Sequence, residues 1–288
     1  MMPSKPQKLW VHIGHGKTGT TALQKHFRER VKSDLSIYYP KLGQLPSGAH
    51  HALFPLGPKP TTPQVRALLH KISNEIKELP DKCISIISSE HLCFISPAQI
   101  RYLSKVWQDH DVAIVYYIRR QDELIESNFR WFQVDRPNKF IDIKEFYNSQ
   151  ARAFDFKLRI QPWVNAFGKE AIHVRLYDRK RMPDIVSDFE DLIGSTSQSN
   201  TPSFKAARRS LSVEQTKILM SYNKEDNSKE ERAEFLDNLY STSDTSDNTN
   251  FLTTEDREII YRTYYASNEN LAQMFLTKEE KKLLLACP

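Results

Sequence analysis

The chain has 288 residues, 39% of them hydrophobic and 27% charged, with a formal net charge of +5. That length can bury a full core. The modest positive balance favours an anionic ligand but falls far short of the basic stripe of a nucleic-acid binder. Apolar runs of about five to eight residues are too short for a membrane-spanning helix of roughly 20. The opening MMPSKPQKLW lacks the apolar stretch of a secretory leader. Cys83, Cys93 and Cys287 are odd in number and without paired spacing, which favours a reducing, cytoplasmic setting over a zinc site or disulfide framework.

In chain order, Leu9 to Ile13 is an apolar run ending in a Gly- and Thr-rich turn. From Thr20, Leu23, Phe27 and Val31 take helical spacing, giving strand, loop and helix. Ile37 to Tyr39 is a brief strand. Val65, Leu68, Leu69, Ile72, Ile76 and Leu79 mark a helix that starts near Thr62 and Pro63, a cap followed by an early proline. Cys83 to Glu90 is a continuous β-prone run, Ile100 to Trp107 a helix, and Asp111 to Arg120 a strand; a further helix begins at Gln121. An aromatic-rich helical region extends to about Phe167, followed by a strand over 172–178 and a helix through Ile185, Phe189 and Ile193.

Strands apolar on both faces that alternate with helices imply an α/β fold, a parallel sheet covered on two sides. Beyond Gly194 the expectation is a helical appendage, about 195–288, on a core of about 8–194, all within one domain. It holds a helix over 213–222, a polar linker over 240–250 and a last helix over 254–276.

In such sheets ligands bind at the carboxyl ends of the strands. That rule brings the Gly14 to Thr21 loop, Ser88 to His91 and Arg119 to Ser127 to one edge. The loop GHGKTGTT packs three glycines, one lysine and three threonines into eight residues. A glycine-rich turn between strand and helix presents backbone N–H groups and the positive helix end to an anion. A triphosphate loop places lysine directly after its last glycine, whereas Lys17 comes two residues before Gly19. A clear strand-terminal aspartate for magnesium is also missing before Asp178. A small-molecule kinase using MgATP is therefore the second reading, and a nucleotide-binding protein without catalysis the third.

The run HIGHGKTGTTALQ, His12 to Gln24, resembles the 5′-phosphosulfate loop of sulfotransferases that use 3′-phosphoadenosine 5′-phosphosulfate (PAPS), above all the bacterial-type members. In RRQDELIES, Arg119 and Ser127 stand eight residues apart across a strand end and the next helix, the spacing with which that family binds the 3′-phosphate. The pair has a physical case of its own: a guanidinium fork can hold a phosphate in two places, and a hydroxyl early in a helix can donate to it. More loosely, Ser267 to Leu276 and Arg208 to Ser212 are similar to late segments of the same sulfotransferases.

The resemblance implies a P-loop-like sheet and cofactor contacts at His15, Gly16, Lys17, Thr18, Gly19, Thr20, Thr21, Arg119 and Ser127. Arg208 and Arg209, with Lys205, are candidates for a basic loop closing over the cofactor. It further implies transfer of a sulfuryl group to a hydroxyl without a metal. Lys17 would stabilise charge on the bridging oxygen, and Glu90 or His91 would serve as base. Glu90 is favoured because the S-S-E run recurs in the bacterial-type group. The acceptor is expected to be a carbohydrate or another small hydroxyl compound. His12 and His15, flanking the loop, and His50 and His51, in a segment expected to be mobile, have a structural role as their default, with contact to the acceptor as the alternative. Trp131, Phe132 and Trp163 have core packing as their default, with an aromatic platform as the alternative.

Overall fold

The structure is a computed structural model that describes residues 6–56, 61–182, 184–195, 210–242 and 250–288. Five parallel strands form one sheet: β1 (Lys8–His12), β2 (Ile37–Tyr38), β3 (Ile84–Ser88), β4 (Asp111–Ile118) and β5 (Ile172–Leu176), in the order β2-β3-β1-β4-β5. All strand pairs run parallel, with Trp10 opposite Ile86 on one side and Ala113 on the other. β1, β3 and β4 bury almost every residue, because helices cover both faces. β5, at the edge, alternates between buried and half-buried positions.

Successive strand residues point to opposite faces, and the two faces hold separate cores. Leu9, Val11, Ile87, Ile114 and Tyr116 pack under α2 (Pro63–Lys77), α3 (Pro97–Val106), α4 (Gln121–Asp135), α6 (Phe156–Phe167) and α10 (Thr254–Phe275). Trp10, Ile86, Ala113, Val115 and Tyr117 pack against Leu23 and Phe27 of α1 (Thr20–Arg30) and Ile185, Phe189 and Ile193 of α7 (Ile185–Ile193). The start of α2 matches the sequence expectation, with Thr62 accepting from the Val65 amide and proline in the first turn.

The aromatic-rich helical region is broken in two places. After α4 the chain turns through Arg136 and Pro137, with Asn138 left-handed at φ 61°; proline lacks the amide that a continuing helix needs. Asp142 caps α5 (Ile143–Gln150) and Asp155 caps α6. Beyond α8 (Val213–Tyr222), two helices appear where the sequence reading has none: α9 (Lys229–Ser241) and α11 (Lys278–Leu284). Each opens with a capping box, Ser228 with Glu231 and Thr277 with Glu280. The expected linker over 240–250 starts inside the last turn of α9, and 243–249 lie outside the described residues.

α10 is part of the main core through Ile260, Tyr264 and Leu271, and α11 reaches the sheet, where Glu280 accepts a hydrogen bond from the Leu176 amide. The chain leaves β1 toward β2 and β4 toward β5. The carboxyl ends of these adjacent strands thus flank the reversal at which ligands settle in open parallel sheets. Among the described residues no helix is long and apolar enough to cross a membrane.

Candidate functional site

The β1–α1 loop runs along β4 before turning away: Ile13 donates to Val115 O, His15 to Tyr117 O, and Tyr117 back to Gly14 O. Three conformational features shape it. Lys17 holds a left-handed backbone at φ 70°, which places an L-residue in a region of local strain. Gly19, the N-cap of α1, has φ 86°, and a Cβ there would lie 2.9 Å from Ile185 Cγ2. Gly16 faces open space, with nothing within 4 Å of where its Cβ would be. The loop is therefore pinned against α7 at Gly19 and leaves room beside Gly16 for a ligand.

Below the loop lies a polar floor. His12 Nδ1 meets Ser88 Oγ at 2.7 Å, and Gln24 donates to Ser88 Oγ at 3.2 Å and to Glu90 Oε2 at 2.8 Å. Thr20 donates its hydroxyl to the other Glu90 oxygen, and His51 Nε2 stands 3.3 Å from Oε2. Burial opposes the charge of Glu90, but His51, Thr20 and Gln24 outweigh it and hold the carboxyl below its usual range. Burial also lowers His12 and His50 to about 4, so both are neutral at physiological pH. His50 is fixed by its Nε2 at 2.8 Å from Pro40 O and by its amide donating to Ser88 O. The His50–His51 segment, expected to be mobile, is tied to the end of β3.

His91 stacks on His51 with ring centroids 3.9 Å apart. Its Nδ1 is 2.9 Å from the Phe54 carbonyl. A carbonyl only accepts, so Nδ1 carries a proton in this contact, and the tautomer it selects has its lone pair on Nε2.

A cavity of about 870 Å³ opens over this floor. His15, Gly16, Lys17, Gly19, Thr20, Thr21, Glu90, His91 and Ser127 line it. Thr18 and Arg119 do not. Thr18 is fully buried and donates its hydroxyl to His15 O at 2.6 Å, which closes the turn. His15 is 3% exposed, packed edge-on to Phe94 and Phe156, with its ring nitrogens directed at Gly16 O and Ala153 O. Arg119 is 7% exposed; it pairs with Glu123 through Nε and Nη2, while its buried Nη1 has no partner among the described residues. Lys205, Arg208 and Arg209 lie outside the described residues.

Two cations absent from the sequence reading join the site. Arg179, just past β5, lines the cavity. Arg130 comes one turn after Ser127 on α4 and donates to the Glu126 and Leu211 carbonyls. Lys17, Arg130 and Arg179 make no ion pair among the described residues, yet their charges act on one another. Burial first, then Arg179, Arg130 and Arg119, lower Lys17 to about 8. Arg130 is likewise lowered by burial and by Arg119 and Arg179, against the pull of Glu126. Arg179 had a signal in its position at a strand end; Arg130 had one in its spacing from Ser127.

Positive charge is thus concentrated around a loop whose backbone is open at Gly16. The arrangement can hold phosphate or sulfate oxygens, and His91 lines the same cavity. Among the described residues, no three His, Cys, Asp or Glu side chains group as metal ligands.

No family model matches the chain. An uncharacterized protein of Archaeoglobus fulgidus is 29% identical over 111 residues, which are 38% of this chain and 30% of that protein. The chain thus spans less than a third of the length of that relative. A solved sulfotransferase from Alicyclobacillus acidocaldarius is similar over 85% of this chain and 99% of its own, with a TM-score of 0.46 and 13% identity. Likeness at this level leaves the chemistry to be read from the residues.

Proposed function

We propose that the chain is a PAPS-dependent sulfotransferase acting on a hydroxyl of a carbohydrate or other small molecule. The observation that carries this reading is the surplus of cations around the Gly14 to Thr21 loop, where Arg179, Arg130 and Arg119 add to burial, the larger cause, in lowering Lys17 to about 8. A donor with a 5′-phosphosulfate and a 3′-phosphate fits it at two places. Gly16, Lys17, Thr20 and Thr21 would hold the 5′ end, where the open face of Gly16 leaves room for an anion. Arg119 and Ser127 would hold the 3′-phosphate, which would give Arg119 Nη1 the partner it lacks.

Bound there, the donor supplies an activated sulfur with a phosphate as leaving group. The Lys17 ammonium neutralises charge building on the oxygen between sulfur and phosphorus, and Arg179 adds a second positive charge beside it. Of the two candidates for the base, hydrogen bonding favours His91. Its Nε2 is free to accept the acceptor's proton, with the ring oriented by Phe54 O and by stacking on His51. Glu90, occupied by Thr20, Gln24 and His51 and held as a weakly basic carboxylate, secures the loop to β3.

One contact favours the kinase reading. The Thr20 hydroxyl beside the Glu90 carboxylate is a pairing that a magnesium-nucleotide site also uses. The test is release of adenosine 3′,5′-bisphosphate from PAPS in the presence of a panel of hydroxyl acceptors, with MgATP hydrolysis and phosphoryl transfer run beside it. Acceptor-dependent release that disappears with Lys17→Ala supports the sulfotransferase. Metal-dependent phosphoryl transfer would replace it with the kinase, and tight bisphosphate binding without release would leave a non-catalytic binder.

A further inference from the structure

The cavity continues well past the loop, along α4. Ser127, Trp131 and Asp135 recur every fourth residue on one line of that helix, with Asn128 and Phe132 beside them, and all five line the cavity. At 1.5 Å per residue, Asp135 lies roughly 12 Å along the helix from Ser127. The cavity therefore has two ends, an inner one at Lys17 and His91 and an outer one where α4 stops at Arg136 and Pro137.

The outer end has a distinct chemistry. Trp131 is 38% exposed and set edge-on to Phe132 at 5.0 Å. Arg136 and Lys139 both sit over the Phe132 ring, at 5.6 Å and 5.5 Å from its centroid, and Lys139 is also 5.2 Å from the Phe140 centroid. Both cations line the cavity. Asp135 pairs with Arg136 at 3.4 Å, while Lys139 has no carboxylate partner among the described residues. The outer rim therefore keeps one positive charge in surplus, held next to an open aromatic face. Asn128, Gln150 and Ser127 add amide and hydroxyl groups to the lining of the same cavity.

We infer that the acceptor is an acidic saccharide, with one sugar ring on Trp131 and a carboxylate or sulfate at the rim formed by Arg136 and Lys139. This rests on the sulfotransferase reading for the inner end and adds to it the class of molecule that fills the outer one. An aromatic face bordered by amides and hydroxyls suits a ring with apolar C–H faces and polar edges. The surplus rim cation selects an anionic ring over a neutral one of the same shape. The rim is exposed, so its contribution is modest and salt-sensitive.

Cellobiose and glucuronosyl-β-1,4-glucose differ by one carboxylate in place of one hydroxymethyl group. Each is titrated calorimetrically into the full chain at low ionic strength, with and without saturating adenosine 3′,5′-bisphosphate. The uronate is expected to bind about five- to tenfold more tightly. The gap should shrink to about twofold in the Arg136→Gln, Lys139→Gln double variant and at high salt. Trp131→Ala should weaken both sugars by the same factor. Equal affinities, no binding of either sugar, or a preference that survives in the double variant would overturn the inference. The bisphosphate titration on the same sample reports separately on the donor site: its failure removes the sulfotransferase reading, while the sugar comparison without nucleotide still reports on the rim.

Discussion

Two cavities open at opposite ends of the same sheet, and their charges are arranged differently. At the amino ends of the strands a cavity of about 440 Å³ is lined by Lys8, His110, Asp111, Glu170 and His173 among others. There Lys8 pairs with Asp111 at 3.1 Å, and His110 Nε2 meets Ser73 Oγ at 2.8 Å. At the carboxyl ends Lys17, Arg130 and Arg179 make no ion pair among the described residues, and Arg119 has one buried nitrogen with no partner there. One end balances its lysine within the fold. The other holds like charges close together, an arrangement that raises the free energy of the empty site and lowers it once an anion arrives.

The largest effect that sharpens this contrast is expected from Lys17→Ala. Loss of the charge proposed to act at the bridging oxygen should lower turnover by about 10²- to 10³-fold, read as bisphosphate release from PAPS. Lys8→Ala at the other end should leave turnover within about twofold. Equal losses at the two ends would erase the distinction.

Next comes Arg119→Ala, which would remove the charge-assisted hydrogen bonds proposed for the 3′-phosphate. Calorimetry should show adenosine 3′,5′-bisphosphate binding weakened about ten- to a hundredfold, with adenosine 5′-monophosphate, lacking that phosphate, much less affected. A uniform loss for both nucleotides would point to a structural role for Arg119.

A smaller effect follows from pH. Lys17 is charged below about 8 and loses its proton above it, while a bound anion favours the charged form. Bisphosphate affinity should therefore be highest below pH 8 and fall severalfold as pH rises past it, with net proton uptake on binding near that pH. Arg179 is the strongest of the neighbouring charges that depress Lys17, so Arg179→Ala should move this decline to higher pH. The pH series is read by calorimetry in buffers of different ionisation enthalpy, and a decline that stays in place would show that Arg179 does not act on Lys17.

The smallest effect is on folding at the amino end. The Lys8–Asp111 pair is partly exposed, and its removal should change stability by well under 1 kcal/mol, measured by urea denaturation. A larger loss would mean that the paired end is also under electrostatic load.

Much of the carboxyl-end site was legible in the sequence because local signals and topology agree there. The run from Leu9 to Thr21 specifies strand, glycine turn and helix, and each of the next two candidate segments directly follows an apolar strand. What the sequence could not convey is which hydrogen-bonding capacity the fold itself takes up. Thr18 reads as a phosphate donor but spends its hydroxyl on His15 O, and Glu90 reads as a base but is held by three partners. The stacking of His51 on His91 joins residues 40 positions apart, and no local pattern encodes it. Arg179, just past β5, and Arg130, one turn beyond Ser127 on α4, act on Lys17 only because the strand order brings β1, β4 and β5 side by side. The late helices α9 and α11 were missed because few of their residues are buried, Leu236 and Leu239 in α9 and Leu284 in α11, so hydrophobic periodicity is weak and only their capping boxes mark them.

Calorimetric titration with adenosine 3′,5′-bisphosphate against MgATP decides whether the carboxyl-end cations await a nucleotide carrying both a 5′ and a 3′ anion. Micromolar or tighter binding of the bisphosphate, lost in Arg119→Ala, and weaker binding of MgATP are expected. Preference for MgATP, or bisphosphate binding indifferent to Arg119→Ala, would contradict that reading.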